Sequence, residues 1–293
     1  VVAGWLSDGS LLSSSEVYNP ETGLWRVSGE LRTARRSHTA NLLSTGQVLA
    51  AGGEDSRFPE EGPGTTAELW TAHPILYPQL ALGGGYEDIL FVTNQSEGPW
   101  EGSLQLNGGD WPTDVEWSLD GEDQTGESTI TLSLGPNETQ RFVMARTGPA
   151  VSGWLEIHAE SGSDLRSLAT AFFYNFSSGG QLKDSTGVAP AAPQMAVRFP
   201  VERSATANTG VAIRKTQSPI QFRLYDESGV MVEEFSEIFE GAKFIDELFS
   251  SVPESFTGSV ELVSPQPFYV TVLRMDTTPD GFQLTSIPAT PVP

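Results

Sequence analysis

Apolar and polar residues alternate along most of this chain, and helical spacing of apolar residues is almost absent. Strict alternation puts every second side chain on one face of a strand, so the pattern restricts the chain to sheets with one buried face. Strands are predicted at Ser103 to Leu106, Ser128 to Leu134, Gln140 to Ala145, Gly153 to Ala159 and Ser167 to Asn175. Further strands are predicted at Val211 to Arg214, Ile220 to Tyr225, Ser259 to Val263 and Phe268 to Met275. Nearly every gap carries Gly, Pro, Asn or Asp, the residues that supply turn geometry. Ala242 to Phe249 is the exception, because Phe244, Ile245, Leu248 and Phe249 fall on one side of a short helical turn.

The remaining composition narrows function. With no cysteine, the chain has no disulfide, no thiolate metal site and no cysteine nucleophile. Its 38 acidic against 16 basic residues give a net charge of -22, which argues against nucleic acid or an anionic membrane as partner. No apolar run is long enough for membrane insertion as a helix. Abundant Ser, Thr, Gly and Pro with little Lys predict a secreted, extracellular or cell-surface protein. The opening residues read as the inside of a strand rather than as a basic-then-apolar leader, which predicts a product trimmed from a longer chain. Asn94, Asn137 and Asn175 each begin an Asn-x-Ser/Thr sequon that could accept a glycan.

Two long segments look like copies of each other. Tyr77-Pro78-Gln79-Leu80 matches Phe199-Pro200-Val201-Glu202, and Gly98 to Leu106 matches Ser218 to Leu224. Leu134 to Phe142 corresponds to Phe239 to Phe244, Ser152 to Ile157 to Thr257 to Leu262, and Gly180 to Pro190 to Gly281 to Pro288. A unit of roughly 100 residues with about seven short strands fits an antiparallel, Ig-like β-sandwich. Val188 to Pro193 is short, small and proline-rich, and reads as the spacer between the copies. A second break lies near His73-Pro74. The expected division is therefore 1-73, then β-sandwiches at 74-190 and 191-293.

Residues before that break repeat on a shorter period. Val1-Val2-Ala3-Gly4 returns as Val48-Leu49-Ala50-Ala51-Gly52-Gly53, and Ser15-Glu16-Val17-Tyr18 as Ala67-Glu68-Leu69-Trp70, an offset of about 50 residues. With Tyr18 to Trp25 and Ala34-Arg35-Arg36-Ser37-His38-Thr39-Ala40, this resembles the kelch β-propeller family, in particular bacterial exported kelch-repeat proteins. It departs from that pattern at Gly4-Trp5, where a second glycine is expected, and after Trp70. The resemblance extends more weakly to the tandem sandwiches, through Gly83-Gly84-Gly85-Tyr86, Leu90 to Asn94 and Ser152-Gly153-Trp154. It implies an all-β chain with a partial propeller of roughly one and a half blades. It also implies an extracellular structural or adhesive role without known chemistry. A propeller closes with about four to eight blades, so such a segment needs strands from elsewhere. Val1, Val2, Ala3, Gly4 and Trp5 are the candidate assembly strand.

Candidate sites for chemistry are sparse. His38, His73 and His158 are far apart, and no motif for a nucleophile, zinc site or phosphate cradle occurs. Asp120, Glu122 and Asp123, around Gly121, are the candidate Ca²⁺ ligands, against the alternative of a solvated turn. Trp100, Trp111 and Trp117 are candidate glycan-stacking rings, against the alternative of core and rim packing. Glu233, Glu234 and Glu237 are expected to keep a sheet edge solvated and unpaired. No cofactor is expected apart from that Ca²⁺. The expectation is a non-enzymatic extracellular structural protein that assembles head to tail into filaments or surface layers, its partner being itself or another surface protein. The alternative is an adhesin or carbohydrate-binding module of a larger kelch propeller protein.

Overall fold

The computed structural model describes residues 2–5, 11–19, 24–31, 33–43, 48–55, 66–70, 74–107, 118–124, 127–160, 163–214, 218–279 and 281–292. All of its sheets are antiparallel. The chain is all-β, with one short helix and a 3-10 turn at Leu165–Ser167 among the described residues.

The first part forms three small sheets. β1 (Val2–Trp5), β2 (Leu11–Asn19) and β3 (Leu24–Glu30) make one, in that order. β4 (Arg35–Arg36) pairs with β7 (Glu54–Asp55), and β5 (Thr39–Leu42), β6 (Val48–Ala51) and β8 (Ala67–Trp70) make the third. The Arg35 side chain is fully buried and ties this region together: Nη1 donates to Gly52 O at 3.0 Å and to Thr66 O at 3.3 Å. Beside it Arg36 forms an ion pair with Glu54. Gly53 has φ +79, and a Cβ there would lie 2.3 Å from Arg36 O, so this turn requires glycine.

The next unit is two-layered. β9 (Ile75–Leu82), β10 (Tyr86–Asn94), β11 (Trp100–Asn107), β12 (Ser118–Leu119), β13 (Glu122–Asp123) and β14 (Thr129–Leu134) open it. β15 (Thr139–Ala145), β16 (Val151–Ala159), β17 (Leu168–Ser178) and β18 (Gln181–Val188) complete it. One sheet runs β14-β11-β16-β9 and the other β13-β12-β15-β10-β17-β18. Leu80, Leu104, Leu132 and Ile157 from the first meet Leu90, Met144 and Phe172 from the second in one core. Each of these sits at an alternate position of its strand, which is the pattern visible in the sequence.

The last unit departs from the expected second sandwich. It comprises β19 (Gln194–Arg203), β20 (Ala207–Arg214), β21 (Ile220–Asp226), β22 (Met231–Glu237), β23 (Gly241–Phe244), α1 (Ile245–Leu248), β24 (Phe256–Thr278), β25 (Gly281–Ile287) and β26 (Thr290–Pro291). The segments around 259–263 and 268–275 are one strand, β24, not two. Its first half pairs with β19 and β21, its second with β20 and β25, so a single sheet curls into a half-barrel. Pro265 and Pro267 mark the corner, where missing N–H donors release the strand from its ladder. Val197, Phe222, Leu262, Phe268 and Val270 fill the interior.

Strand order carries the duplication seen in the sequence. The order β14-β11-β16-β9 is repeated as β22-β21-β24-β19, and β15-β10-β17-β18 as β23-β20-β24-β25. The two differ at one joint: the 3-10 turn separates β16 from β17, while prolines bend the equivalent β24 without ending it.

Candidate functional site

The two larger units meet through side chains rather than through the spacer alone. Phe282 on β25 places its ring 4.3 Å from Phe176 and 5.7 Å from Tyr86. Leu284 N donates to Asp184 Oδ2 at 2.7 Å, and Thr186 Oγ1 donates to Leu284 O at 2.6 Å. The Arg214 guanidinium lies 4.8 Å above the Trp154 ring. Burial against that ring lowers the Arg214 pKa from its ordinary value. Leu273 and Leu284 pack against the core of the first unit. The spacer itself is tied down, with Ala191 N donating to Leu76 O.

This joint encloses a cleft of about 320 Å³. Thr271, Leu273 and Met275 on alternate positions of β24 form its floor with Gly210 and Ala212 of β20. Phe244 and Leu284 stand at its sides, and Gln79, Ala81, Tyr86, Ser152 and Tyr174 face it from the first unit. Tyr174 donates its hydroxyl to Gln79 O at 2.5 Å. Burial pushes the Tyr86 hydroxyl up to about 12 and the Tyr174 hydroxyl well above its ordinary value, so both stay protonated. Gln79 Oε1 is enclosed and meets no donor among the described residues. Behind the cleft, Asp88 is fully buried: Oδ2 accepts from Ala81 N at 2.8 Å, Oδ1 has no hydrogen-bond partner among the described residues, and desolvation holds its pKa well above its ordinary value.

The structure changes several of the sequence-derived sites. Trp100 is only 1% exposed, and its Nε1 donates to Asp164 O at 3.1 Å. Its ring lies over Gly102, where an added Cβ would come within 2.2 Å of it, so neither face is open to a sugar. Core packing therefore replaces the glycan role for Trp100; Trp111 and Trp117 lie outside the described residues. Asp120, Glu122 and Asp123 do not converge on a Ca²⁺ site. Asp120 stands at φ 51 in the turn between β12 and β13, its Oδ1 accepts from Val143 N at 2.8 Å, and no three acidic or histidine side chains among the described residues are grouped for a metal.

The candidate assembly strand is already engaged. Val2, Ala3, Gly4 and Trp5 form β1, which pairs with β2 of the same chain (Val2↔Ser15, Gly4↔Leu12, Trp5↔Leu11), while Val1 lies outside the described residues. What β1 offers a neighbour is its outer margin, not a free strand. The expected solvated carboxylates on β22 are in part tied down: Glu233 accepts from Ser251 N at 2.8 Å and Glu234 from Arg223 Nε at 2.8 Å. Sequence reasoning missed the cleft, since its lining spans residues 79 to 284.

The sequons separate by burial. Asn94 is fully buried, with Nδ2 donating to Gly98 O at 2.8 Å and Gly135 O at 3.0 Å, so it builds a turn and has no room for a glycan. Asn137 sits exposed in a turn at φ 58.

No protein-family model, no curated protein and no solved structure matches this chain.

Proposed function

We propose that this is a non-enzymatic structural protein of the cell exterior that assembles head to tail by strand addition at its first seventy residues. The observation that carries this is the pair of three-stranded sheets, β1-β2-β3 and β5-β6-β8, whose outer strands have no further partner among the described residues. Each is one strand short of the four-stranded blade of a kelch-like propeller. The Gly52-Gly53 turn, with both glycines at positive φ, supports that reading. Outer strand β5 is exposed throughout, and Leu42 on it is 67% exposed. A margin of this kind is a template for another strand.

The opposite part of the molecule presents a second margin. β22 is an outer strand of the curled sheet, and Met231 and Val232 on it are exposed along with Val230 beside it. Its carboxylates Glu233, Glu234 and Glu237 discourage two copies of β22 from pairing with each other, because like charges would face one another. That favours a contact between unlike margins, which propagates rather than closing. The two larger units, the two-layered one Ig-like in this reading and the other a curled sheet, would space successive contacts.

Sedimentation velocity across a concentration series tests the proposal, with Leu42→Lys and Val232→Lys as exposed-edge variants. Concentration-dependent growth that either lysine suppresses is the expected result. A single monomeric species at high concentration overturns it.

A further inference from the structure

The outer face of the sheet β13-β12-β15-β10-β17-β18 carries an apolar patch that its own core does not use. Val143 of β15, Ile89 of β10 and Phe173 of β17 stand side by side in one row across the strands. They alternate with the core residues Phe142, Met144, Leu90 and Phe172, so they point outward. Phe91 and Ala171 share the next outward row, and the Phe91 and Phe173 rings meet edge to face at 6.1 Å. Solvent still reaches this patch: Ala171 is exposed and the other four residues are half-buried. The duplication shows what such a face can do. Strands β15-β10-β17-β18 correspond to β23-β20-β24-β25, and there the outward Leu273 and Leu284 pack against the first unit. An apolar patch left open to water at the same place marks a contact surface.

Its charges indicate the occupant. Arg141 stands in the Phe91 row, its guanidinium 6.0 Å from the Phe91 ring centroid. Glu87 lies two residues from Ile89 on the other side of the central row. Neither side chain forms an ion pair or hydrogen bond among the described residues. A two-fold axis running along the row Val143-Ile89-Phe173, between two facing copies, lays that row on itself and reverses the strand direction. It thereby brings Glu87 of each copy beside Arg141 of the other. Sheets packed face to face lie about 10 Å apart, a gap that these two long side chains span together. The patch is thus self-complementary, as a closed two-fold contact requires.

We infer that two copies of this chain associate face to face through this patch, with Glu87 of each paired with Arg141 of the other. The occupant is a second copy because the patch itself supplies both halves of each ion pair. No residue of β1, β5 or β22 takes part, so the contact stands apart from strand addition and would join assembled chains side by side.

Sedimentation velocity of the full chain carrying both Leu42→Lys and Val232→Lys tests it, because those changes block growth at the strand margins and leave the patch intact. The measurement is made in about 0.15 M salt, which screens the net negative charge of the chain. A monomer–dimer equilibrium is the expected result. Arg141→Glu or Glu87→Arg, added singly, sets like charges against each other twice per dimer and should weaken it about tenfold. The two reversals together restore opposite charges and should recover most of that loss. Ala171→Glu, at an exposed position in the Phe91 row, brings a carboxylate beside Glu87 of the other copy and should abolish the dimer with the thermal midpoint unchanged. A monomer at the highest attainable concentration, single reversals without effect, a double reversal no tighter than the singles, or a dimer that survives Ala171→Glu would each overturn the inference.

Discussion

Phe282 stacks on Phe176 across the boundary between the two larger units, ring centroid to ring centroid 4.3 Å at an interplanar angle of 35°. With Tyr86 on the same ring, that contact joins the end of β25 to strands β10 and β17. Phe282→Ala removes both ring contacts and should cost about 1–3 kcal/mol of the free energy holding the units together. Limited proteolysis should then cut near the Val188 to Pro193 spacer faster than in the parent chain. An unchanged cleavage rate would mean that Asp184, Thr186 and Arg214 hold the joint by themselves.

The second prediction concerns pH. Asp88 is buried with a raised pKa, so the folded state keeps its proton at pH values where the unfolded chain has released it. From about pH 4 upward, the folded state therefore binds more protons than the unfolded one, and stability falls as pH rises. Asp88→Asn retains an oxygen for the Ala81 N–H and has no proton to lose. Thermal midpoints measured from pH 4 to 7 should show the parent chain losing stability relative to Asp88→Asn as pH rises. Parallel curves would place the Asp88 pKa near its ordinary value.

Asn94 gives the third. Its side chain donates to Gly98 O and Gly135 O and accepts from Ser96 N at 2.9 Å. Asn94→Ala leaves these groups unsatisfied and should cost about 2–4 kcal/mol in denaturant unfolding. Expression in a host that glycosylates sequons should give folded protein modified at Asn137 and not at Asn94, read by intact mass. Folded material with a glycan on Asn94 would contradict the buried turn.

The fourth tests the first region. Gly53→Ala puts a Cβ into contact with Arg36 O at a left-handed φ, which should cost at least about 1–3 kcal/mol. The Arg35 contacts to Gly52 O and Thr66 O depend on the same turn. Hydrogen exchange in β5 and β6 should rise while β9 to β26 keep their protection. Unchanged exchange in β5 and β6 would show that the turn does not control that sheet.

Eight strands of the two larger units were legible, β11, β14, β15, β16, β17, β20, β21 and β24, because alternation is a local property that needs no distant contact. The helical turn was legible for the same reason: α1 at Ile245–Leu248 falls within Ala242 to Phe249, with Ile245 fully buried. The duplication was legible as matched phrases and returns as matched strand order. The continuity of β24 was not, since Ser264-Pro265-Gln266-Pro267 carries the local signature of a break. Trp100 stood between glycan stacking and core packing in the sequence, because exposure depends on what lies opposite a residue. The signal that could have found it is Gly102, two positions on and on the same strand face, where the missing side chain leaves room for the indole ring.

Taken alone, the sequence determined that this chain is built of sheets and that its second part is a doubled unit, because both properties follow from periodicity over a few neighbouring residues. Tertiary structure alone decided that the second copy curls as one sheet, that Trp100 faces inward and that Gln79 and Met275 line one cleft. Those depend on which distant strands meet, and contacts between residues far apart in the chain leave no local period to read.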